Sequence, residues 1–136
     1  MPRYMLDTDV CSYIMKRSSA VLLRQLQNVA MDDVCISVVT KAELLFGAKV
    51  SPRRQQDSEA VEAFLRHVAV LGFPETAAEH YADIRADLSA RGRMIGANDL
   101  FIAAHARSLD VTLVTNNLRE FSRVRKLTTA NWTRSQ

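Results

Sequence analysis

Cysteine is scarce, with only Cys11 and Cys35 among 136 residues. They form no CxxC pair and have no histidine nearby at zinc-ligand spacing, so a disulfide framework and a zinc site are both disfavoured. Two buried free thiols are expected instead. No stretch approaches the ~20 apolar residues needed to span a bilayer. The N-terminus lacks a basic segment followed by an apolar run and a cleavage site, so a cytoplasmic location is expected. Internal repeats, low-complexity tracts and linkers are also missing. There is no GxGxxG and no GxxxxGK[ST], which removes the usual dinucleotide and phosphate-loop signatures. His67, His80 and His105 are scattered, and none pairs with a serine or cysteine nucleophile, so a catalytic triad is not suggested.

What is present reads as an ordinary globular chain, 48% hydrophobic and 24% charged. The length suits one domain over 1–136 with a real core. The net charge is +3, carried mostly by arginine, the residue best suited to phosphate. That balance is compatible with a nucleic-acid partner without establishing one.

Four apolar runs read as short, buried, parallel-type strands: "YML" at 4–6, "VCISVV" at 34–39, "VAVLGF" at 68–73 and "VTLVT" at 111–115. "LTTA" at 127–130 is a weaker fifth. Between them lie helical patterns at 10–16, 20–29, 41–49, 55–67, 75–90 and 99–109. "SPRRQQDSE" at 51–59 reads as a loop entering a helix. Gly92 is a stop signal, and the helix at 99–109 is apolar nearly all round and so deeply packed. Strands alternating with helices predict a three-layer α/β/α sandwich around a central, mostly parallel sheet of four to five strands. In such folds ligands bind beyond the carboxyl ends of the strands, which is where Asp7 falls.

Three carboxylates from separate places converge on that end in this reading. Asp7 ends the first strand, Glu43 follows the second in "TKAELLFGA", and Asp99 opens the deeply packed helix in "GANDLFIAA". Two like charges at ~4 Å repel by on the order of 4 kcal/mol at an effective dielectric of ~20, so the group calls for a proton or a cation. An all-oxygen set suits Mg²⁺ or Mn²⁺. Each position also has a structural reading. Asp9 is read as the N-cap of the first helix, and Thr40-x-x-Glu43 as a capping box. Asp99 suits a helix dipole, and Asn117 suits a cap or turn. Asp7 has the least structural use, and the coincidence at strand ends favours function. The densest positive patch, around Arg119, Arg123, Arg125 and Lys126, directly follows "TNN" and is read either as a solvated surface or as a phosphate-contacting rim.

Together "MLDTDV", "SVVTKAELLFGA", "GANDLFIAAHA" and "LVTNNLREFSRV" resemble the PIN-domain ribonucleases, and more narrowly the VapC toxins of bacterial toxin–antitoxin pairs. The resemblance runs from the first strand to Phe121. It implies a Mg²⁺- or Mn²⁺-dependent endoribonuclease whose acids fall on Asp7, Glu43 and Asp99 as metal ligands, with Thr115 near the site and Thr8 after the first acid. The family's fourth acid falls on Asn117, which puts a second tightly bound metal in doubt. Glu120 is the acid at hand to compensate, the less favoured of the two readings. Thr8, Thr115 and Asn117 would orient water, metal or phosphate. Charge alone nominates Arg85, Arg91, Arg93, Arg119 and Arg123 for the RNA backbone, with ordinary surface roles equally open. The resemblance further implies a VapB-type antitoxin whose C-terminal segment lies across the acidic groove, and operator DNA bound only through that antitoxin. It also implies a homodimer, for which the apolar helix carrying Tyr81, Ile84 and Leu88 is a candidate. Relatives with this ending resemble those that cut tRNA, including initiator tRNA, in the anticodon stem-loop, which inhibits translation. No membrane role is implied.

Three other classes compete. "DTDVC" is similar to the strand end of haloacid-dehalogenase phosphatases, with Asp7 as nucleophile, but Cys11 stands where threonine or valine is expected. A non-catalytic binding module is another, and the three intact acids argue against it. A receiver-like domain would need an aspartate ending the middle strand, and "VAVLGFPE" offers none.

Overall fold

The computed structural model describes residues 2–134. In chain order the elements are β1 (Tyr4–Leu6), α1 (Thr8–Lys16), α2 (Ala20–Gln27), a 3-10 turn (Met31–Asp33), β2 (Val34–Ser37), α3 (Val38–Lys49), α4 (Arg54–Leu65), β3 (Ala69–Leu71), α5 (Ala77–Ala90), α6 (Ala97–Leu109), β4 (Thr112–Val114), α7 (Leu118–Phe121) and β5 (Thr129–Ala130). The strands form one five-stranded sheet in the order β3-β2-β1-β4-β5, and every pairing is parallel.

The two-residue period of a strand sorts side chains onto opposite faces. Met5, Cys35 and Leu113 point into one core with Ile84 and Leu88 of α5 and Leu100, Ile102 and Ala103 of α6. Leu6, Val34, Ile36 and Val114 point into the other, with Val10 and Cys11 of α1, Leu22 of α2, Leu44 of α3 and Val61 of α4. The expected three-layer sandwich follows from this alternation. Both cysteines are buried and free. Ile84 and Leu88 are spent on the chain's own core, and Tyr81 stacks on Phe101 at 4.6 Å, so simple packing accounts for the α5 stripe. Among the described residues no helix is long and apolar enough to cross a membrane.

The largest departure from the predicted elements is at 34–39. The strand stops at Ser37, and Val38 and Val39 belong to α3. The cause is the Ser37 hydroxyl, which accepts a hydrogen bond from the Val39 N–H at 3.1 Å and so caps α3 three residues earlier than expected. The Thr40–Glu43 capping box is therefore not formed, and Thr40 lies buried inside the first turn. A second correction concerns α1, whose N-cap is Asp7 and not Asp9. The Asp7 carboxylate accepts from the Val10 N–H at 2.9 Å, while Asp9 sits in the first turn, where the helix dipole favours an acid. Asp7 thus has a structural use after all. α7 and the 3-10 turn were too short to show a period.

β1 lies at the centre. The chain steps from it to β2 and β3 on one side and returns to β4 and β5 on the other. The carboxyl ends of β1 and β4 therefore flank a topological switch point, the position at which open α/β sheets leave a crevice for a ligand.

Candidate active site

Asp7 ends β1 at that switch point, and its backbone N–H donates to Val114 O on the neighbouring strand end at 3.0 Å. Its side chain is only 4% exposed. One carboxylate oxygen accepts from Val10 N–H at 2.9 Å, and the other accepts from the Thr115 hydroxyl at 2.5 Å. Thr115 is itself fixed, because its oxygen accepts the Asn117 N–H at 2.9 Å. Burial pushes the Asp7 carboxyl up to about 6 even though both hydrogen bonds favour its charged form.

Asp99 stands in the first turn of α6, beside Gly96, where a Cβ would meet its carboxylate oxygen at 3.2 Å. Burial raises it to about 7, helped by the Glu120 carboxyl within hydrogen-bonding reach and by the charges of Glu43 and Asp7. Glu43, on α3, accepts from the Thr8 hydroxyl at 2.6 Å through one oxygen and from the Asn98 amide at 3.2 Å through the other. Thr8 Oγ1 lies 3.3 Å from Thr40 Oγ1, which is buried. Four acids from β1, α3, α6 and α7 thus influence one another across a small space.

Among the described residues no lysine, arginine or histidine nitrogen comes within ion-pair distance of these four acids. An uncompensated, oxygen-only group of this kind fits a hard divalent cation, which would relieve the repulsion that raises Asp7 and Asp99. Among the described residues, however, no three acidic, histidine or cysteine side chains already stand in an ion-enclosing arrangement. The donor set fits a metal by its chemistry and its charge.

The chain matches the PIN domain model over residues 4–127. It is 42% identical over 132 residues to "Ribonuclease VapC2" of Haemophilus influenzae, covering 97% of this chain and 99% of that one. The chain belongs to the PIN-domain family, in its VapC branch. It is also 40% identical over 132 residues to "tRNA(fMet)-specific endonuclease VapC" of Shigella flexneri, again covering 97% of this chain and 99% of that one. Among solved structures it resembles the DNA-bound VapBC of Salmonella typhimurium, with a TM-score of 0.90 and 36% identity over 97% of this chain and 99% of that chain.

Seen in this VapC chain, the nominated arginines divide by their contacts. Arg91 is occupied by Asp87 and by the Arg123 carbonyl at 2.6 Å. Arg123 donates to the Met94 carbonyl at 3.1 Å and the Arg93 carbonyl at 3.5 Å. These two tie the end of α5 and the loop before α6 to the segment after α7. Arg85 is exposed and donates to the Tyr81 hydroxyl at 2.9 Å. The exposed Arg93 and Arg119 side chains make no hydrogen bond or ion pair among the described residues.

Sequence reasoning overlooked Asn98, although it adjoins Asp99, because an amide one residue before an acid carries no periodic or spacing signal. It ranked Glu120 low, because nothing in "LREF" shows that α7 turns its second acid towards α6. It also missed an apolar groove of about 820 Å³ beside Glu43, lined by Val38, Phe46, Phe73 and Phe101 together with Thr8 and Asn98. Phe46 is 65% exposed there.

Proposed function

We propose that the protein is the toxin of a toxin–antitoxin pair and acts as a Mg²⁺- or Mn²⁺-dependent endoribonuclease. The observation that carries the reading is the group of mutually repelling carboxylates, without a counter-charge among the described residues, at the switch point of the sheet. The printed names of the VapC relatives, a ribonuclease and a tRNA(fMet)-specific endonuclease, support RNA, and within RNA a tRNA, as the substrate. Cleavage in the anticodon stem-loop, with loss of translation, is the corresponding cellular outcome, in the cytoplasm.

A bound divalent ion supplies charge neutralisation and Lewis-acid activation of the scissile phosphate. Asp7 and Asp99 would hold it, with Glu43 and Glu120 beside them. Asp7 is preorganised for this by Val10 and Thr115, which fix its plane and favour its charged form. A carboxylate of the group orients water for in-line attack on phosphorus and takes its proton. Thr115 and Asn117 form one unit, in which the Asn117 backbone locks the Thr115 hydroxyl onto Asp7 and leaves the Asn117 side chain for phosphate or water. Arg93 and Arg119, and more distantly Arg85, supply RNA backbone contacts, while Arg91 and Arg123 brace the loops that present them.

The DNA-bound VapBC complex of Salmonella typhimurium supports a VapB-type antitoxin as partner. Operator DNA would be engaged through that partner. The antitoxin's C-terminal segment would cover the acidic groove, and a homodimer is the expected state of the toxin. The deciding experiment is incubation of purified antitoxin-free protein with total cellular tRNA, with Mg²⁺ or Mn²⁺, with EDTA, and with Asp99→Asn alongside. Discrete fragments that need metal and vanish in Asp99→Asn establish the nuclease. Intact tRNA, messenger RNA and ribosomal RNA, from folded protein that binds Mn²⁺, would sink it.

A further inference from the structure

His105 is a fully buried polar ring on α6 that the site above does not use, and its helix neighbours Ile102, Ala103 and Ala106 belong to the apolar core. Its Nδ1 lies 2.8 Å from the Ser37 hydroxyl oxygen, and Phe73 stands at a steep angle to the ring with centroids 5.5 Å apart. Nε2 is buried without a hydrogen-bond partner among the described residues. Burial holds the imidazole below its ordinary pKa, so near neutral pH the ring is uncharged and carries one N–H. The network decides which nitrogen bears it. Ser37 Oγ already accepts the Val39 N–H at 3.1 Å, and among the described residues its own proton has no acceptor other than Nδ1. With Ser37 donating to Nδ1, one group is left unpaired, the Nε2–H. The reverse assignment leaves two, the hydroxyl proton and the Nε2 lone pair. The Ser37 O–H therefore donates to Nδ1.

An apolar residue at 105 would fill this place without an orphaned N–H, so packing alone does not account for a histidine. What the ring adds is direction. Ser37 ends β2 and caps α3, six residues before Glu43, and His105 lies six residues after Asp99 on α6. Among the described residues α3 with its cap shares two polar contacts with α6: Asn98 to Glu43 at 3.2 Å on the exposed rim, and this buried one. Apolar surfaces can slide past each other, whereas a buried hydrogen bond holds at one distance and angle.

We propose that Ser37 and His105 are positioning residues for the cleavage site: their bond sets how α6 stands against α3, and with it the separation of Asp99 and Glu43. The proposal rests on the nuclease reading and concerns where these acids stand, whichever of them meets ion or water. Misplacing a reacting group by about 1 Å costs on the order of 100-fold in rate. Losing the groups that orient metal ligands weakens metal binding about 10–100-fold. A ring that only filled the core would move neither quantity in a variant that is as stable as the parent.

The test takes the antitoxin-free chain with His105→Leu, His105→Asn and His105→Gln through thermal melting, steady-state tRNA cleavage and Mn²⁺ titration calorimetry. The asparagine amide takes the place of Nδ1 and can accept the Ser37 proton, whereas the glutamine amide takes that of Nε2. His105→Leu is expected to melt no lower than the parent, while kcat and Mn²⁺ affinity each fall about 10-fold or more and KM stays within about 3-fold. His105→Asn should keep kcat within about 3-fold of the parent, and His105→Gln should fall with His105→Leu. Parent-level kcat in His105→Leu, or His105→Asn no better than His105→Gln, overturns the positioning role. The parent gives an independent reading: ¹⁵N spectra of histidine-labelled protein should show His105 as the Nε2–H tautomer, and an Nδ1–H tautomer overturns the assigned bond whether or not any variant folds. If the parent binds Mn²⁺ but cuts no class of RNA, the nuclease reading fails and the Mn²⁺ affinities decide alone. Parent-level affinity in His105→Leu then removes the positioning role as well, and a 10-fold loss keeps it for the metal site.

Discussion

The Thr115 hydroxyl donates to the Asp7 carboxylate across 108 positions of sequence, joining the ends of the two central strands at the switch point. Its oxygen simultaneously accepts the Asn117 N–H, so one buried side chain serves both an acid and a turn. Thr115→Val keeps the shape and removes both bonds. A hydrogen bond to a charged group contributes about 1.5–3 kcal/mol, and an orphaned buried N–H adds to the loss. Thr115→Val should therefore lower unfolding free energy by about 2–4 kcal/mol near neutral pH in urea titrations, and Thr115→Ser by much less. An unchanged midpoint for Thr115→Val would show that the bond does not hold the strand ends together.

Metal-free protein should become less stable as pH rises through the weakly acidic range. Asp7 binds its proton more tightly folded than unfolded, since burial lifts it from 3.8 to about 6. Between those values the folded state holds more protons, so stability falls with rising pH and levels off above about 7. Two units correspond to about 3 kcal/mol as an upper bound. Asp99, raised to about 7 by burial and by Glu120, extends the same trend towards neutrality. Asp7→Asn and Asp99→Asn should each flatten the curve. Divalent metal should reverse its sign, because the ion competes with these protons and binds better as pH rises. Melting curves in EDTA and in Mn²⁺ between pH 5 and 8 check both statements, and a metal-free melting temperature that rises over this range would refute the first.

Much of the architecture was legible because two signals agreed. Apolar triplets such as Tyr4-Met5-Leu6 were bounded by polar residues, and long helical patterns lay between them, so a parallel sandwich was the consistent solution. Boundaries were lost where one side chain decides. Val38 and Val39 favour strands by type, and only the Ser37 hydroxyl makes them helical. Asp7, Glu43 and Asp99 could be nominated because acids at strand ends and helix starts stand out in any such fold. Asn98 and Glu120 were not, or not securely, because their meaning lies in which way α6 and α7 turn, and packing of distant elements sets that.

Gly96 should matter through Asp99 rather than through the backbone. Its φ is −58°, which any residue adopts, and it caps α6 without a side chain. A Cβ there would sit 3.2 Å from the Asp99 carboxylate oxygen, so the acid must give by a few tenths of an ångström. Gly96→Ala is expected to change stability by less than about 1 kcal/mol. It should lower metal-dependent cleavage by roughly an order of magnitude or more, as ligand-orienting changes do. Wild-type cleavage and Mn²⁺ affinity in Gly96→Ala would show that Asp99 has room to spare.

The arginines should separate by salt dependence. Arg119 is exposed and unbonded among the described residues, next to Glu120 in α7, whereas Arg91 is committed to Asp87 and to the Arg123 carbonyl. A phosphate contact releases counterions from a single strand, so removing one lowers the slope of log affinity against log salt by about 0.7. Arg119→Ala should weaken RNA binding and flatten that slope while leaving the melting temperature nearly unchanged. Arg91→Ala should do the opposite, lowering the melting temperature with the slope intact, because it removes one of the ties between α5 and the 119–126 segment without removing a phosphate contact. Fluorescence anisotropy of a labelled anticodon stem-loop on Asp99→Asn protein, which binds without cutting, gives the slopes at several salt concentrations. Equal slopes for the Arg119→Ala variant and its parent would exclude Arg119 from the RNA path, and a flattened slope for Arg91→Ala would place that residue on it, its contacts to Asp87 then being exchanged for phosphate when RNA arrives.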